Sequence, residues 1–255
     1  MKEKTDRIRS VSLGLLWIVL WLTFCSGLSQ AGTVTYSYDE AGRLIKATYG
    51  DETQITYTYD GAGNLLSRVT GPPSQDTTMV LGWNLLSIYK DPTDNGIEAI
   101  LGNTVGKVVS VWKWQGNTWA VYLPGEGTEA YATSKGFSVL QNLNAGEGFW
   151  INSNEAQKLS VNGSAPADET LNVAAGWNLL GLKSSQGKGV SQLITGKEGE
   201  ILSIWKWESN NWAVYLPGQD DGGAAYAQSK GFILLDQIDP GEGFWVNCTG
   251  AVTLE

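Results

Sequence analysis

Histidine is absent from this chain of 255 residues, and cysteine occurs only twice, at Cys25 and Cys248. Without an imidazole, neither a Ser-His-Asp nor a Cys-His relay can be assembled, and no His/Cys zinc cluster can form. Charge of one sign is also short, with 17 Lys and Arg against 26 Asp and Glu and a net charge of −9. No Lys/Arg cluster reverses that balance locally, so phosphate backbones and anionic lipid surfaces are repelled, and neither nucleic acid nor membrane is an expected partner. What the chain has in place of these is glycine and large aromatics: 32 Gly, 12 Trp and 10 Tyr.

Residues 1–31 have the form of a secretory signal. Lys2, Lys4, Arg7 and Arg9 precede an uncharged apolar run of 14 residues, Val11 to Phe24, shorter than the roughly 20 that a spanning helix needs. Ser29-Gln30-Ala31 puts small residues at the −3 and −1 positions, so cleavage is expected before Gly32. Acylation at Cys25 is the weaker alternative, because Phe24 stands where a lipoprotein signal carries a small residue. Cleavage removes four basic and two acidic residues, which takes the net charge to −11 and leaves Cys248 as the single thiol. No intramolecular disulfide can then form, and Cys248 reads as a small buried apolar residue. The mature chain is expected to be secreted or in the cell envelope, free of the membrane.

Two repeats of different size follow. In residues 32–71, Tyr36-Ser37-Tyr38-Asp39-Glu40-Ala41-Gly42-Arg43-Leu44 returns 21 positions later as Tyr57-Thr58-Tyr59-Asp60-Gly61-Ala62-Gly63-Asn64-Leu65. Alternating Tyr and Thr predict strands, Asp opens a turn by accepting backbone hydrogen bonds, and Gly three residues on supplies a positive φ. Each unit therefore reads as a β-hairpin with its Tyr rings on one face. These residues resemble the YD repeat of RHS and teneurin-like proteins. The resemblance covers about 40 residues and implies a bacterial surface or extracellular setting. Two units are too few for the β-shell that long arrays of the family build, so the expected role is a short β-stalk or the remnant of a longer array.

The larger repeat fills the rest. Gly82-Trp83-Asn84-Leu85-Leu86 recurs at 176–180, Trp112-Lys113-Trp114 at 205–207, the heptapeptide WAVYLPG of 119–125 at 212–218, Ser134-Lys135-Gly136-Phe137 at 229–232, and GEGFW of 146–150 at 241–245. The offset stays between 93 and 95, so two copies of one module are expected at 79–163 and 171–255. Polar, Pro-containing linkers are read at 72–78 and 164–170, the second of them flexible. Each copy should hold a strand with a Gly-Trp-Asn bend (78–88, 171–182), a short helix (95–101, 190–195), an alternating strand (108–114, 201–207), a hairpin turn into the WAVYLPG strand, one further helical turn (129–134), and the GFW strand with a closing strand. On the strand at 108–114, Val109, Val111 and Lys113 should face one way and Ser110, Trp112 and Trp114 the other. The fold class is thus mainly β with short helices: YD hairpins followed by two similar tandem domains. The pattern resembles Trp/Gly-rich GWN…GFW modules carried in tandem by secreted bacterial proteins, a resemblance that implies a setting and no activity.

The repeated hairpins supply the candidate ligand-binding residues: Trp112, Trp114, Trp119 and Tyr122, with Trp205, Trp207, Trp212 and Tyr215 in the second copy. Exposed rings of this kind stack on the apolar faces of sugars, while Asn117, Asn210 or Asn211 fix hydroxyls. The alternative is that the same rings are core, since a small domain without disulfides needs large aromatics to bury. A second set, Lys135, Glu147 and Asn152, matched by Lys230, Glu242 and Asn247, has the residue types of an autocatalytic isopeptide bond, although surface Lys with a turn-stabilising Glu accounts for it better. Asp91, Asp94 and Asn95 are a weak calcium pattern that the second copy does not repeat. No cofactor, metal or catalysis is expected, as the usual nucleophile–base pairs are missing. The expected function is non-catalytic binding or adhesion toward cell-surface or extracellular polysaccharide. The alternatives are a structural component of a larger RHS/YD-type assembly contacting another surface protein and, behind that, a glycan-active enzyme.

Overall fold

The computed structural model describes residues 33–50, 53–71, 74–125 and 127–255; the secretory-signal reading of residues 1–31 lies outside them. The described chain is mainly β with a few short helices. Among the described residues no helix is long and apolar enough to cross a membrane.

The YD segment forms one antiparallel sheet in the order β1 (Thr35–Tyr38), β2 (Leu44–Thr48), β3 (Gln54–Tyr59), β4 (Leu65–Gly71). Its turns follow from the Asp-x-x-Gly spacing. Asp39 accepts hydrogen bonds from the backbone N–H of Ala41 and Arg43, Asp60 does so from Ala62 and Asn64, and Gly42 and Gly63 take φ of 76° and 92°. The bonds to Arg43 hold the Asp39 carboxyl below its ordinary range, and those from Asn64 do the same for Asp60. Arg43 ties the units together: its guanidinium pairs with Asp39 at 2.7 Å, donates to the carbonyl of Asp60 and lies 4.9 Å from the centre of the Tyr59 ring. Strand β1 is exposed along its whole length.

The first module starts earlier than its repeat suggests. Ser74–Met79, read from its polarity as part of a linker, is strand β5, paired with the closing strand across six residues. Its outward side chains account for the polarity, while Gln75 and Met79 are fully buried. There follow β6 (Gly82–Ser87), β7 (Asp91–Pro92), α1 (Ile97–Leu101), a 3-10 turn (Gly102–Lys107), β8 (Val108–Gln115), β9 (Thr118–Tyr122), α2 (Thr128–Lys135), β10 (Ser138–Val139), β11 (Gly148–Ser153) and β12 (Gln157–Ser164). Five strands make a sheet ordered β10-β9-β8-β11-β6, and β5-β12-β7 make a smaller one. The second module repeats the plan with β13 (Leu171–Val173), β14 (Gly176–Gly181), β15 (Lys188–Gly189), α3 (Val190–Leu193), β16 (Ile201–Glu208), β17 (Asn211–Tyr215), α4 (Ala224–Lys230), β18 (Ile233–Leu234), β19 (Gln237–Ile238), β20 (Gly243–Cys248) and β21 (Val252–Leu254). Its five-stranded sheet runs β14-β20-β16-β17-β18, flanked by the pairs β13-β21 and β15-β19.

The repeated motifs are local folding devices. In Gly-Trp-Asn, Gly82 and Gly176 bend the chain at φ of 89° and 84°, and the amides of Asn84 and Asn178 bridge the bend by bonding Val80 and Ala174 on both their N–H and their C=O. Two-residue turns with positive φ at both positions (Gly116 54°, Asn117 65°; Ser209 50°, Asn210 59°) join β8 to β9 and β16 to β17, the twist a tight hairpin prefers. In Ser-Lys-Gly-Phe, Gly136 and Gly231 end α2 and α4 in the left-handed region at 72°, and the following Phe137 and Phe232 N–H groups bond back to Ala132 and Ala227. The predicted alternation on β8 is interrupted by a bulge: Ser153 pairs with Val108 and Asn152 with Ser110, so Val109 is skipped and stands exposed.

Each module has its own apolar core on one face of the large sheet. Phe149, Ile151, Val111, Ile100 and Leu143 sit in the first, and Phe244, Val246, Ile204, Ile194 and Cys248 in the second. The opposite faces meet each other. The two copies, expected as units on a flexible tether, pack through a set of reciprocal contacts that amounts to a pseudo-two-fold axis. Ser87 N–H donates to Gly241 O at 2.8 Å and Gly181 N–H to Gly146 O at 3.0 Å. Leu86 forms an isolated bridge with Glu242, and Leu180 forms one with Glu147.

That approach explains the second glycine of GEGFW. A methyl group on Gly148 would stand 2.5 Å from Leu180 O, and one on Gly243 2.6 Å from Leu86 O, in each case backbone of the other module. Gly148→Ala and Gly243→Ala should each weaken module pairing by about 1–3 kcal/mol. Urea denaturation followed by tryptophan emission and near-ultraviolet circular dichroism measures this. Wild-type midpoints for both variants would show that the modules do not approach in this way.

Candidate functional site: tryptophans shared between the modules

The ten tryptophans among the described residues fall into two clusters of five, and each cluster draws on both modules. Trp112, Trp114 and Trp119 from the first-module hairpin meet Trp245 and Trp177 of the second: Trp114 to Trp245 is 6.0 Å, Trp119 to Trp245 5.8 Å and Trp177 to Trp245 6.0 Å between ring centres. The mirror set joins Trp205, Trp207 and Trp212 to Trp150 and Trp83, with Trp150 at 6.1 Å from Trp207 and 6.0 Å from Trp212. Most rings meet edge to face, the arrangement that the aromatic quadrupole favours. Phe137 and Phe232 close the outer ends, 5.3 Å from Trp112 and 5.5 Å from Trp205.

Strand parity sets this arrangement. On β8, β9 and β11 the side chains of Trp112, Trp114, Trp119 and Trp150 share one face while Val111, Ala120, Phe149 and Ile151 point into the core. The six hairpin tryptophans proposed from the sequence are half-buried and lie together in the seam between modules. Trp83 and Trp177, at 45% and 43% exposure, are the most open. Tyr122 and Tyr215 do not belong to this group. Three positions separate Trp119 from Tyr122, an odd number, so Tyr122 emerges on the core side, where it is buried and its hydroxyl donates to Glu98. Tyr215 likewise packs against the second core. The sequence reading passed over Trp83, Trp150, Trp177, Trp245 and the two phenylalanines, although each stands in a repeated motif.

Two open clefts remain in the seam, related by the same pseudo-symmetry. One, of about 560 Å³, is walled by Trp177, Trp205, Trp212, Phe232 and Trp245 and closed by Trp114 and Trp150. The other, of about 470 Å³, is walled by Trp83, Trp112, Trp119, Phe137 and Trp150 and closed by Trp207 and Trp212. Aromatic carbon makes up nearly all of both surfaces. The buried indole N–H of Trp205, in the first cleft, has no hydrogen-bond partner, whereas Trp112 donates to Ser110 and Trp114 to the carbonyl of Trp177.

A charged pair backs each cluster, and the sequence reading had assigned it differently. Lys113, between Trp112 and Trp114, points to the core side and meets Glu147 of GEGFW at 2.6 Å; Lys206 meets Glu242 at 2.9 Å and Glu208 at 2.7 Å. Glu147 and Glu242 therefore serve these lysines and not the exposed Lys135 and Lys230 at the helix ends, so the isopeptide grouping is not assembled. The signal available was the parity itself, since a lysine at a core-facing position needs a carboxylate. Burial opposes the charge on Lys206, but the two carboxylates outweigh it and raise its pKa above the ordinary value. Burial also pushes the Cys248 thiol up to about 11, which leaves it protonated and unreactive at neutral pH. Asp94 caps its own loop by accepting from Gly96 N–H, and Asn95 bonds Asn144.

Glu147→Gln should cost about 3 kcal/mol, because it removes the carboxylate that pairs with the buried Lys113, and Glu242→Gln about half as much, because Lys206 retains Glu208. The raised Lys206 pKa gives the pH dependence: its contribution is complete below the unfolded-state value of about 10.4 and is lost as pH climbs through the higher folded value. Urea midpoints at neutral pH and between pH 9 and 12 measure both effects. Equal losses for the two variants would contradict the assignment of Glu208.

Residues 28–54 and 38–72 match the family model described as RHS Repeat. RHS repeats are typical of extracellular or cell-surface proteins. The match leaves both Trp-rich modules uncovered. No curated protein and no solved structure matches the chain.

Proposed function

We propose that this chain is an exported, non-catalytic binding module that holds extracellular or cell-surface polysaccharide in the seam between its two Trp-rich modules. The observation that carries this reading is the pair of open clefts walled by tryptophan rings from both modules. Pyranose rings present C–H faces that stack on indole, and edge-to-face packing fixes the wall rings before a ligand arrives, which lowers the entropic cost of binding. Two symmetry-related clefts in one seam favour a repetitive polymer over a single small molecule. No metal or cofactor enters this reading, and no set of three or more His, Cys, Asp and Glu suited to a metal ion occurs among the described residues.

A second reading rests on the YD sheet. Its outer strands β1 and β4 each pair on one side only, and Tyr36, Tyr38, Leu65, Leu66 and Val69 are exposed. Such edges accept a further strand from another surface protein, which would make the chain a structural part of a larger RHS-type assembly.

Acrylamide quenching of tryptophan emission, with and without a panel of soluble polysaccharides, tests the first reading. A bound polymer should protect the half-buried rings. Trp177→Ala should reduce retention on the polymer at a stability cost of about 1 kcal/mol, whereas Trp119→Ala, deeper in the seam, should cost about 2–3 kcal/mol. Quenching that no polysaccharide changes would leave the second reading in its place.

A further inference from the structure

The two aromatic clefts are related by symmetry, but their surroundings are not. Beside the larger one lies a third cavity of about 390 Å³ with a different chemistry. Trp114 and Trp177 line both, so the two spaces adjoin across these rings. The Trp114 N–H bond to Trp177 O, 3.0 Å, fixes that partition. On the far side the lining turns polar: the Lys113–Glu147 pair, Asn117 from the hairpin tip, and Lys183 from the other module.

The pseudo-symmetric position is furnished otherwise. There the first module carries strand β5, six residues long, where the second has the three-residue β13. Gln75 of β5 is fully buried, donating to Ser87 O at 2.7 Å and accepting from Tyr89 N–H at 2.8 Å. It sits beside Gly241, the counterpart of Gly146 in the polar cavity's lining. Glu208, which pairs with Lys206, takes the place of the uncharged Gln115. One side is thus occupied by protein groups that satisfy one another, and the other keeps an aromatic wall with unlike polar groups converging on a cavity.

Resting on the reading of the chain as a glycan-binding module, we propose that the cavity bounded by Trp114, Trp177, Asn117 and Lys183 is a neutral-oligosaccharide site continuous with the larger aromatic cleft, and that the two clefts are therefore unequal in function. One sugar ring stacks on the Trp114–Trp177 partition with its hydroxyls toward Asn117, Lys183 and the Lys113–Glu147 pair, and the next places its C–H face in the aromatic cleft. Aromatic stacking together with a few fixed polar groups is what an oriented sugar requires, and the aromatic clefts alone offer hydroxyls too few partners. The charges suit a neutral chain: Glu147 neutralises Lys113, the Asp168 carboxyl, held below its ordinary range chiefly by hydrogen bonds from Thr170, also feels the charge of Lys183, and the protein's net charge of −9 repels polyanions.

Isothermal titration of the full chain with cello-, manno-, malto- and chito-tetraosaccharides tests this, with the matching monosaccharides in parallel. One tetrasaccharide should bind at one site per chain and much more tightly than its monosaccharide. Asn117→Gly, which keeps the left-handed turn while removing the amide, and Lys183→Met should each weaken binding about tenfold, the worth of one or two hydrogen bonds. Lys135→Met, at the exposed end of α2 and outside the cavity lining, should leave it unchanged. Circular dichroism of each variant checks that the fold is retained. Binding that survives Asn117→Gly and Lys183→Met but is lost in Trp83→Ala would place the glycan in the opposite cleft and overturn this assignment while keeping the glycan reading. Two equal sites per chain would overturn it as well. A parent protein that binds none of the sugars would overturn both.

Discussion

Everything in the tandem region depends on an exchange of aromatic rings. The hairpin of one module presents three tryptophans, and the Gly-Trp-Asn and Gly-Phe-Trp strands of the other supply the two that complete the cluster. Neither module holds a finished cluster by itself. Two glycines clear the way for this contact by letting strand backbones approach where any side chain would collide. The buried lysine–glutamate pairs then hold the loop that carries those glycines, since Glu147 and Glu242 also accept hydrogen bonds from the backbone of Asn144 and Asp239. Aromatic packing, backbone approach and ion pair thus converge on the same short motif.

Local structure was readable because local chemistry determines it. Asp-x-x-Gly turns and the Gly-Asn hairpin tip each depend on a few neighbouring residues, and both are found where the sequence puts them. Strand β5 escaped because Ser74-Gln75-Asp76-Thr77-Thr78 is polar throughout, and burial of Gln75 is satisfied by bonds to residues 12 and 14 positions away. The seam escaped for a related reason. Alternation shows that tryptophans share a face, but not what that face meets. Tyr122 and Lys113 are different cases, because parity already separated both from the neighbouring tryptophans. Composition grouped Tyr122 with the sugar platform and set Lys135, not Lys113, beside Glu147, and geometry places Tyr122 and Lys113 on the core side.

The candidate site is accordingly a property of the pair and not of the repeat. A single module offers a flat row of rings; two modules face to face offer clefts. Duplication alone would give two identical clefts, and it is the differences between copies that separate them: a longer strand on one side, a glutamate where the other has glutamine, a lysine at 183 against a tyrosine at 89. The YD sheet stands apart in character, with exposed strands and turns held by aspartate, and it bears on setting more than on chemistry.

The reciprocity of the seam also fixes an order of events in folding. Ser87 meets its partner Glu242 across 155 positions of chain, and the ring that completes the first hairpin cluster, Trp245, comes later still. A chain emerging from its N-terminus can form the first core long before it can cover the first row of tryptophans. Throughout that interval the first module's row of tryptophans lacks the rings of Trp177 and Trp245 that cover it in the finished fold. Pairing of this range is slow relative to hairpin closure, and the closed seam depends on the segment from Gly241 to Trp245, nearly the last part of the chain to be made.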